Sequence, residues 1–476
     1  MYMRKHSLVT AAAVTIGVLG LAGAAQAQTT GPHAAVNVKL TASPSTVPAG
    51  LNTGVSVTNP CPTGVKPSSV TGLPAPDGTT TDVQASLAAN KPVILAGVWP
   101  PPGPTSYAIT ASCPGGQTGT STVTVEAAPK PADVTAVGAD AIQSVVDQFS
   151  SDYNAKHSTG DLYSWDATNP ITGAIGDNIK TKTGCTAVPR PDGSGAGISA
   201  LTTENGTTGG HPCIDFARSS SARSASTPTS VTFATLAGDA VTYATQPSSN
   251  APANLTTAQL NQIYSCAVTN WSQVGGKSAP IHAFIPQNGS GTRSFFLSAI
   301  GLTSPGSCVS DASGTLLESE GVNPVLNASK PDVIVPYSVG KYLAERYHSA
   351  TCLNSACTAN ASGLICTPKG AQNLFGCNTH GTMVLNQING TAPTTPFPLT
   401  STTTKAVINA GFTPSFQRFL YEVVNSPEFS LPAYLKPYFS PTGWVCTNAT
   451  AKKDLQNYGF LVLPAGTAAG DCGALS

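Results

Sequence analysis

The chain has 476 residues, only 10% of them charged, with 23 basic and 23 acidic side chains and a formal net charge of zero. A nucleic-acid partner calls for a basic stripe, and this balance argues against one. The length admits two or three domains.

In chain order, the first feature is a secretory leader. Arg4, Lys5 and His6 form its positive region, Leu8 to Gly23 its apolar core, and Ala25-Gln26-Ala27 a small-residue cleavage site. Residues 1–27 are therefore expected to be removed. No cysteine follows that site to carry a lipid, and no later stretch has the ~18 uninterrupted apolar residues needed to cross a bilayer. The expected location is secreted or extracytoplasmic, in the periplasm or at the cell surface. The twelve cysteines fit an oxidising compartment, and none stands in a Cys-x-x-Cys pair, so disulfides are expected rather than metal sites. Proximity and domain membership suggest Cys61 with Cys113, Cys185 with Cys213, Cys266 with Cys308, and Cys446 with Cys472. Cys352, Cys357, Cys366 and Cys377 are expected to staple an insertion.

Residues 28–126 read as all-β. Val36 to Leu40 and Thr53 to Thr58 alternate, Tyr107, Ile109, Ala111 and Cys113 share one strand face, and Thr120 to Val125 alternates again. With two cysteines about fifty residues apart, an immunoglobulin-like sandwich is expected. Residues 127–132, Ala-Ala-Pro-Lys-Pro-Ala, form a stiff linker.

Beyond it strands and helices alternate. Asp133 to Val137 reads as strand, and Ile142, Val145, Val146 and Phe149 fall at helical spacing. Val231 to Leu236 and Asp239 to Tyr243 read as two buried strands, Ile281 to Ile285 and Val333 to Tyr337 as further ones. Thr256 with Gln259 makes a capping box. Three strand–turn–helix units recur, at Gly138-Ala139-Asp140, at Asp192-Gly193-Ser194-Gly195-Ala196-Gly197, and at Asn288-Gly289-Ser290-Gly291-Thr292-Arg293. Helix N-termini present unpaired N–H groups and partial positive charge, and glycine lets backbone approach a ligand closely. Such turns suit an oxyanion, and Arg293 would add full charge. Ordinary βα connections use the same residues.

Four ordered motifs resemble those of the phosphate-binding proteins of ATP-driven phosphate uptake systems, the PstS family. They are Gly193 to Ile198, Ile214-Asp215-Phe216-Ala217-Arg218-Ser219, Leu255 to Tyr264 with Asn270-Trp271-Ser272, and Gly289 to Arg293. The resemblance covers roughly residues 132–476. It implies an α/β, two-lobed periplasmic-binding-protein type 2 fold over residues 133–476. Lobe 1 would span about 133–247 and 385–476, and lobe 2 about 248–384. It also implies a cleft that binds inorganic phosphate or a similar oxyanion without catalysis or cofactor, for delivery to a membrane ABC permease. Ser194 and Gly195 would contact the ligand from the first lobe. Asp215 would be a buried carboxylate accepting a hydrogen bond from a protonated phosphate oxygen, and Ser290, Gly291 and Thr292 would bind from the second lobe with Arg293 as charge partner. Ala139 and Asp140 occupy the first loop, where Asp140 also suits a helix cap. Pro286 stands where some relatives carry arginine, with Arg293 as its candidate substitute, and Arg190, Arg218 and Arg223 are candidates to compensate for the Asp140 carboxylate in the first loop.

Enzyme motifs are missing: no Gly-x-Ser-x-Gly elbow surrounds Ser194 or Ser290, and no His-Glu-x-x-His occurs. The rival reading is a secreted cell-surface adhesion or interaction protein, with the β-sandwich at work and the binding fold as scaffold.

Overall fold

The computed structural model describes most of the chain from Ala42 onward. Residues 1–41, the segments 73–82, 96–104, 169–174, 349–356 and 367–379, and shorter stretches lie outside the described residues. The expected leader falls there, as do Cys352 and Cys377.

The N-terminal part carries two sheets. Ala42–Ser43, Thr53–Val57 and Pro92–Leu95 make a three-stranded sheet, and Thr46–Val47, Thr118–Val125, Thr105–Ser112 and Ser69–Thr71 a four-stranded one. Period-two alternation works as expected in the third of these: Ile109 and Ala111 are buried on the face that Cys113 continues, and Cys113 is bridged to Cys61. The alternating runs expected at Thr53 and at Thr120 to Val125 are strands too, Thr53–Val57 and Thr118–Val125, while Val36 to Leu40 lies outside the described residues.

The α/β part is built on one eight-stranded mixed sheet. Its strands are β1 (Val134–Gly138), β2 (Leu162–Ser164), β3 (Phe216–Ser219), β4 (Val231–Thr245), β5 (His282–Ala283), β6 (Val333–Ser338), β7 (Val384–Leu385) and β8 (Gln417–Asn425). The order is β5-β6-β4-β8-β3-β1-β2, with β7 beside β4. The helices that matter below are α1 (Gln143–Asn154), α2 (Ser194–Thr203), α3 (Thr257–Tyr264), α4 (Gly291–Ala299) and α5 (Val339–His348). The capping box on α3 forms in both directions between Thr256 and Gln259.

The two strands expected at 231–243 are one. β4 runs 15 residues, every one buried, with an irregular register between Thr235 and Ala237. Its first part pairs with β8 from Val231 to Ala240, and its last five residues pair with β6. The apolar cores divide on these strands. Val134, Ile142, Phe149, Ala237 and Leu420 pack together in one core, and Val137, Leu201, Phe233 and Val423 form a second layer of the same lobe. Ala240, Tyr264, Trp271, Phe296, Tyr337, Ile388, Phe412 and Phe416 form the core of the other lobe. The lobes therefore part between Ala237 and Ala240 on β4 and between Phe416, just before β8, and Leu420 on it. These crossings differ from the expected limits at 247/248 and 384/385, and Leu385, Ile388, Ala406, Ile408, Phe412 and Phe416 pack in the core of the second lobe. The first crossing lies inside a continuous strand with no turn residue to mark it, and the second falls where the 3₁₀ turn Pro414–Phe416 enters β8.

Three further disulfides join Cys185 to Cys213, Cys266 to Cys308 and Cys446 to Cys472.

Candidate functional site

The turn before α4 is built by two residues. Gly289 takes a left-handed conformation, φ +87°, that a side chain would strain. Ser290 is extended and accepts the Arg293 N–H at 3.0 Å, capping the helix. The Thr292 N–H is then one of the donors that α4 itself cannot satisfy. Its acceptor is the carboxylate of Glu318, whose Oε1 receives Ser290 Oγ at 2.7 Å, Thr292 N at 3.1 Å and Ser220 Oγ at 3.5 Å. Glu318 is 1% exposed, and its Oε2 has no partner.

The first lobe supplies the other wall. Ser194, fully buried at the start of α2, accepts the Ser220 N–H at 2.9 Å, and the two hydroxyl oxygens lie 3.2 Å apart. A Cβ on Gly291 would fall 2.3 Å from Ser220 Oγ and 2.5 Å from Ser194 Oγ, so only glycine lets these hydroxyls reach the start of α4. The two glycine turns meet directly: Gly195 N–H donates to Gly289 O at 2.9 Å, and Gln287 Nε2 to Asp192 O at 2.7 Å. Arg418 on β8 closes the site from the hinge. Its guanidinium donates to Asp239 Oδ2 at 2.8 and 3.0 Å, to Thr292 Oγ1 at 3.1 Å and to Ser220 O at 3.1 Å. Asp239, on β4, also accepts Ser338 Oγ at 2.9 Å and the Gly340 N–H at 3.0 Å.

Of the residues expected from sequence, Ser194, Gly195, Ser290, Gly291 and Thr292 come together here. Asp215 does not. Its Oδ2 lies 2.6 Å from Lys182 Nζ and accepts the Thr135 N–H at 2.7 Å, at the entry to β3 and away from the hydroxyl cluster. Burial pushes its carboxyl above the usual range, opposed by Lys182, and burial lowers the Lys182 ammonium in turn. Arg293 also faces elsewhere, donating to Pro286 O at 2.8 Å and to Asp311 Oδ2 at 3.3 Å. The cation at the site is Arg418 instead.

The first loop is organised in the opposite sense. The Ala139 N–H is taken by Arg218 O, while the buried Arg218 guanidinium donates to the carbonyls of Gly138, Ala139 and Trp165 and to Ser164 Oγ. Asp140 forms no side-chain cap and pairs with Lys341 of α5 across the lobes at 3.2 Å. Arg190 donates to Asp166 O, Arg223 to Val231 O, and Trp165 packs on the first-lobe core.

Ser220, Glu318, Arg418 and Asp239 were not singled out by the sequence reading. A charged residue inside the apolar run of β4 was a usable signal for Asp239, since a buried carboxylate needs a partner. Ser220 directly follows a quoted motif. Glu318 and Arg418 lie in segments without motif, joined to the turn only by the fold. Among the described residues no group of histidine, cysteine and acidic side chains could hold a metal ion. None of the described helices is long and apolar enough to cross a membrane.

Solved structures similar to this chain include a protein assigned as a phosphate ABC transporter substrate-binding protein, with bound phosphate, from Clostridium perfringens. It is 15% identical, spans 70% of this chain and 99% of its own, and has a TM-score of 0.44. An ABC-type phosphate transport receptor from Vibrio cholerae is 18% identical over 69% and 99% of the two chains, with a TM-score of 0.38. PstS from Borrelia burgdorferi is 16% identical over 69% and 98%, with a TM-score of 0.33. The family model described as a PBP superfamily domain matches residues 124–330. With its two cores and its two crossing strands, the α/β part is a two-lobed periplasmic-binding-protein type 2 fold, and residues 124–330 of the chain are similar to the PBP superfamily domain.

Proposed function

We propose that this protein is a non-catalytic, extracytoplasmic solute-binding protein that captures a small oxyanion, inorganic phosphate first among them, between its lobes. One observation carries the reading. Donors from both lobes, Ser290 Oγ and Thr292 N from one and Ser220 Oγ from the other, converge on a single anionic oxygen. A helix N-terminus adds favourable potential, and burial strengthens each bond relative to water. The superfamily match supports the solute-binding class, and the disulfides suit an oxidising compartment. The assigned contacts are Ser194, Ser220, Ser290, Gly291 and Thr292, with Arg418 holding Thr292. Delivery to a membrane permease is the accompanying role.

The test is calorimetric titration of the full chain, exhaustively dialysed, with phosphate and with sulfate. Saturable phosphate binding is expected, weakened about tenfold by Ser290→Ala through loss of one hydrogen bond to a charged group. Heat from neither anion would reject capture by this chain.

A further inference from the structure

We propose that Glu318 is the cradle's built-in occupant: its carboxylate holds the place of an external oxyanion's oxygen and sets the terms on which a ligand enters. The inference rests on the oxyanion reading above and goes beyond it.

The bonding of Glu318 is lopsided. Oε1 receives three donors and Oε2 none, although the residue is 1% exposed. Glu318 forms no ion pair among the described residues. A buried carboxylate with one oxygen unserved is an expensive arrangement, because each unpaired polar group keeps its full desolvation cost. A purely structural cap would be expected to satisfy both oxygens or to leave one in water. A small oxyanion would reproduce the Oε1 bonds and bring further oxygens, without the unserved group.

The position of Glu318 is nonetheless built rather than accidental. The next residue, Ser319, is left-handed at φ +56°, and it is gripped by Tyr337 Oη at its carbonyl and by the Ser338 N–H at its hydroxyl, 3.4 Å away. Glu320 closes the same loop by accepting the Leu317 N–H at 3.1 Å and Asn323 Nδ2 at 3.0 Å. Ser338 in turn donates to Asp239, the partner of Arg418. The loop that aims Glu318 is thus tied to the strand pair on which the lobes pivot.

An entering anion meets like charge as well as an occupied donor set. Glu318 therefore excludes weak or dilute oxyanions and yields only to one that replaces all three donors' bonds. The ligand most favoured is one with several oxygens on a single tetrahedral centre.

The experiment compares wild type, Glu318→Ala and Glu318→Gln by phosphate titration and by hydrogen exchange of the peptide containing Thr292. Glu318→Ala is expected to bind phosphate about tenfold or more tightly than wild type, and Glu318→Gln to fall between, since its amide oxygen still accepts but carries no charge. Exchange at Thr292 should rise in Glu318→Ala and fall again when phosphate is added. If Glu318→Ala fails to fold, the same comparison of Glu318→Gln with wild type decides the matter. Wild type and variants binding phosphate equally would overturn the inference while leaving the oxyanion reading intact. Binding by the variants alone would support the inference and overturn capture by the unaided chain. No binding by any of them would overturn both, and Glu318 would then be a permanent cap on α4.

Discussion

The first loop, Gly138 to Asp140, and the turn at Ser290 to Arg293 look alike in sequence, each a glycine-bearing strand-to-helix connection. In the fold they have opposite polarity. At Ser290 the chain presents N–H and hydroxyl donors, and a carboxylate lies on them. At Ala139 the N–H is bonded within the sheet and the loop turns its carbonyls toward the Arg218 guanidinium. One turn is laid out for an anion and the other for a cation. The difference arises from partners distant in sequence, so a glycine turn before a helix specifies a possibility of anion binding and the packing decides.

The largest effect is expected where the anion-facing turn is tied to the hinge. Asp239 and Arg418 are both buried and share Nε and Nη2 contacts, and Arg418 carries the only guanidinium bonded to Thr292 among the described residues. Asp239→Ala strands that cation and also frees Ser338 Oγ and the Gly340 N–H. Removing one partner of a buried pair typically costs about 3–5 kcal/mol. Chemical denaturation should show a loss of that order, together with weaker phosphate binding. A loss under about 1 kcal/mol would mean the hinge pair is solvated and does not organise the turn.

Next in size is Gly291→Ala. The new methyl would fall 2.3 Å from Ser220 Oγ and 2.9 Å from Ser220 C, a backbone atom that cannot simply rotate away. Overpacking of this kind costs about 1–3 kcal/mol. The lobes meet at this point, so the strain should appear as phosphate affinity lost more steeply than stability. Equal loss of both would place Gly291 in ordinary packing.

How much of this was legible follows from where the determinants sit. Ser290, Gly291 and Thr292 are contiguous, and local turn chemistry is enough to mark them. Ser194 was marked by a second such turn. Arg418 and Glu318 act on Thr292 from 126 and 26 residues away, the first from a strand and the second from a loop. Nothing local distinguishes an arginine that will face a hinge carboxylate from one that will face solvent. Asp215 misled for the same reason. A buried acid at the end of a strand was readable, but Lys182, its partner, stands thirty-odd positions upstream and carries no motif. The single long β4 reads in the sequence as two strands, Val231 to Leu236 and Asp239 to Tyr243, whereas the interruption near Ala237 is only a register irregularity within one continuous strand.

The cation-facing loop makes its own prediction through pH. Beneath it, burial and the neighbouring Asp166 push the Asp147 carboxyl well above the usual carboxylate range, with Arg218 opposing. The folded state therefore retains a proton that the unfolded chain releases. The stability from this group is complete below the unfolded pKa and is lost as pH rises through the folded one. Melting temperature should accordingly carry a downward contribution above pH 3.8 that Asp147→Asn removes, since the amide donates to Asp166 without titrating. An unchanged pH slope in the variant would show that Arg218 keeps Asp147 ionised.

The smallest effect is expected at Arg293, the residue that sequence made the charge partner of the anion. Its guanidinium lies on Asp311 with side-chain exposures of 15% and 30%, and on the carbonyl of Pro286. A partly exposed pair of this kind contributes about 0–1 kcal/mol, because water screens it and two long side chains are immobilised to make it. Arg293→Ala should therefore lower stability by no more than about 1 kcal/mol and leave phosphate affinity within about twofold of wild type. Its backbone N–H, which caps onto Ser290, survives the substitution. A tenfold fall in affinity would return Arg293 to the cradle, requiring it to leave Asp311 when the anion arrives, and would remove the contrast drawn here between Arg293 and Arg418.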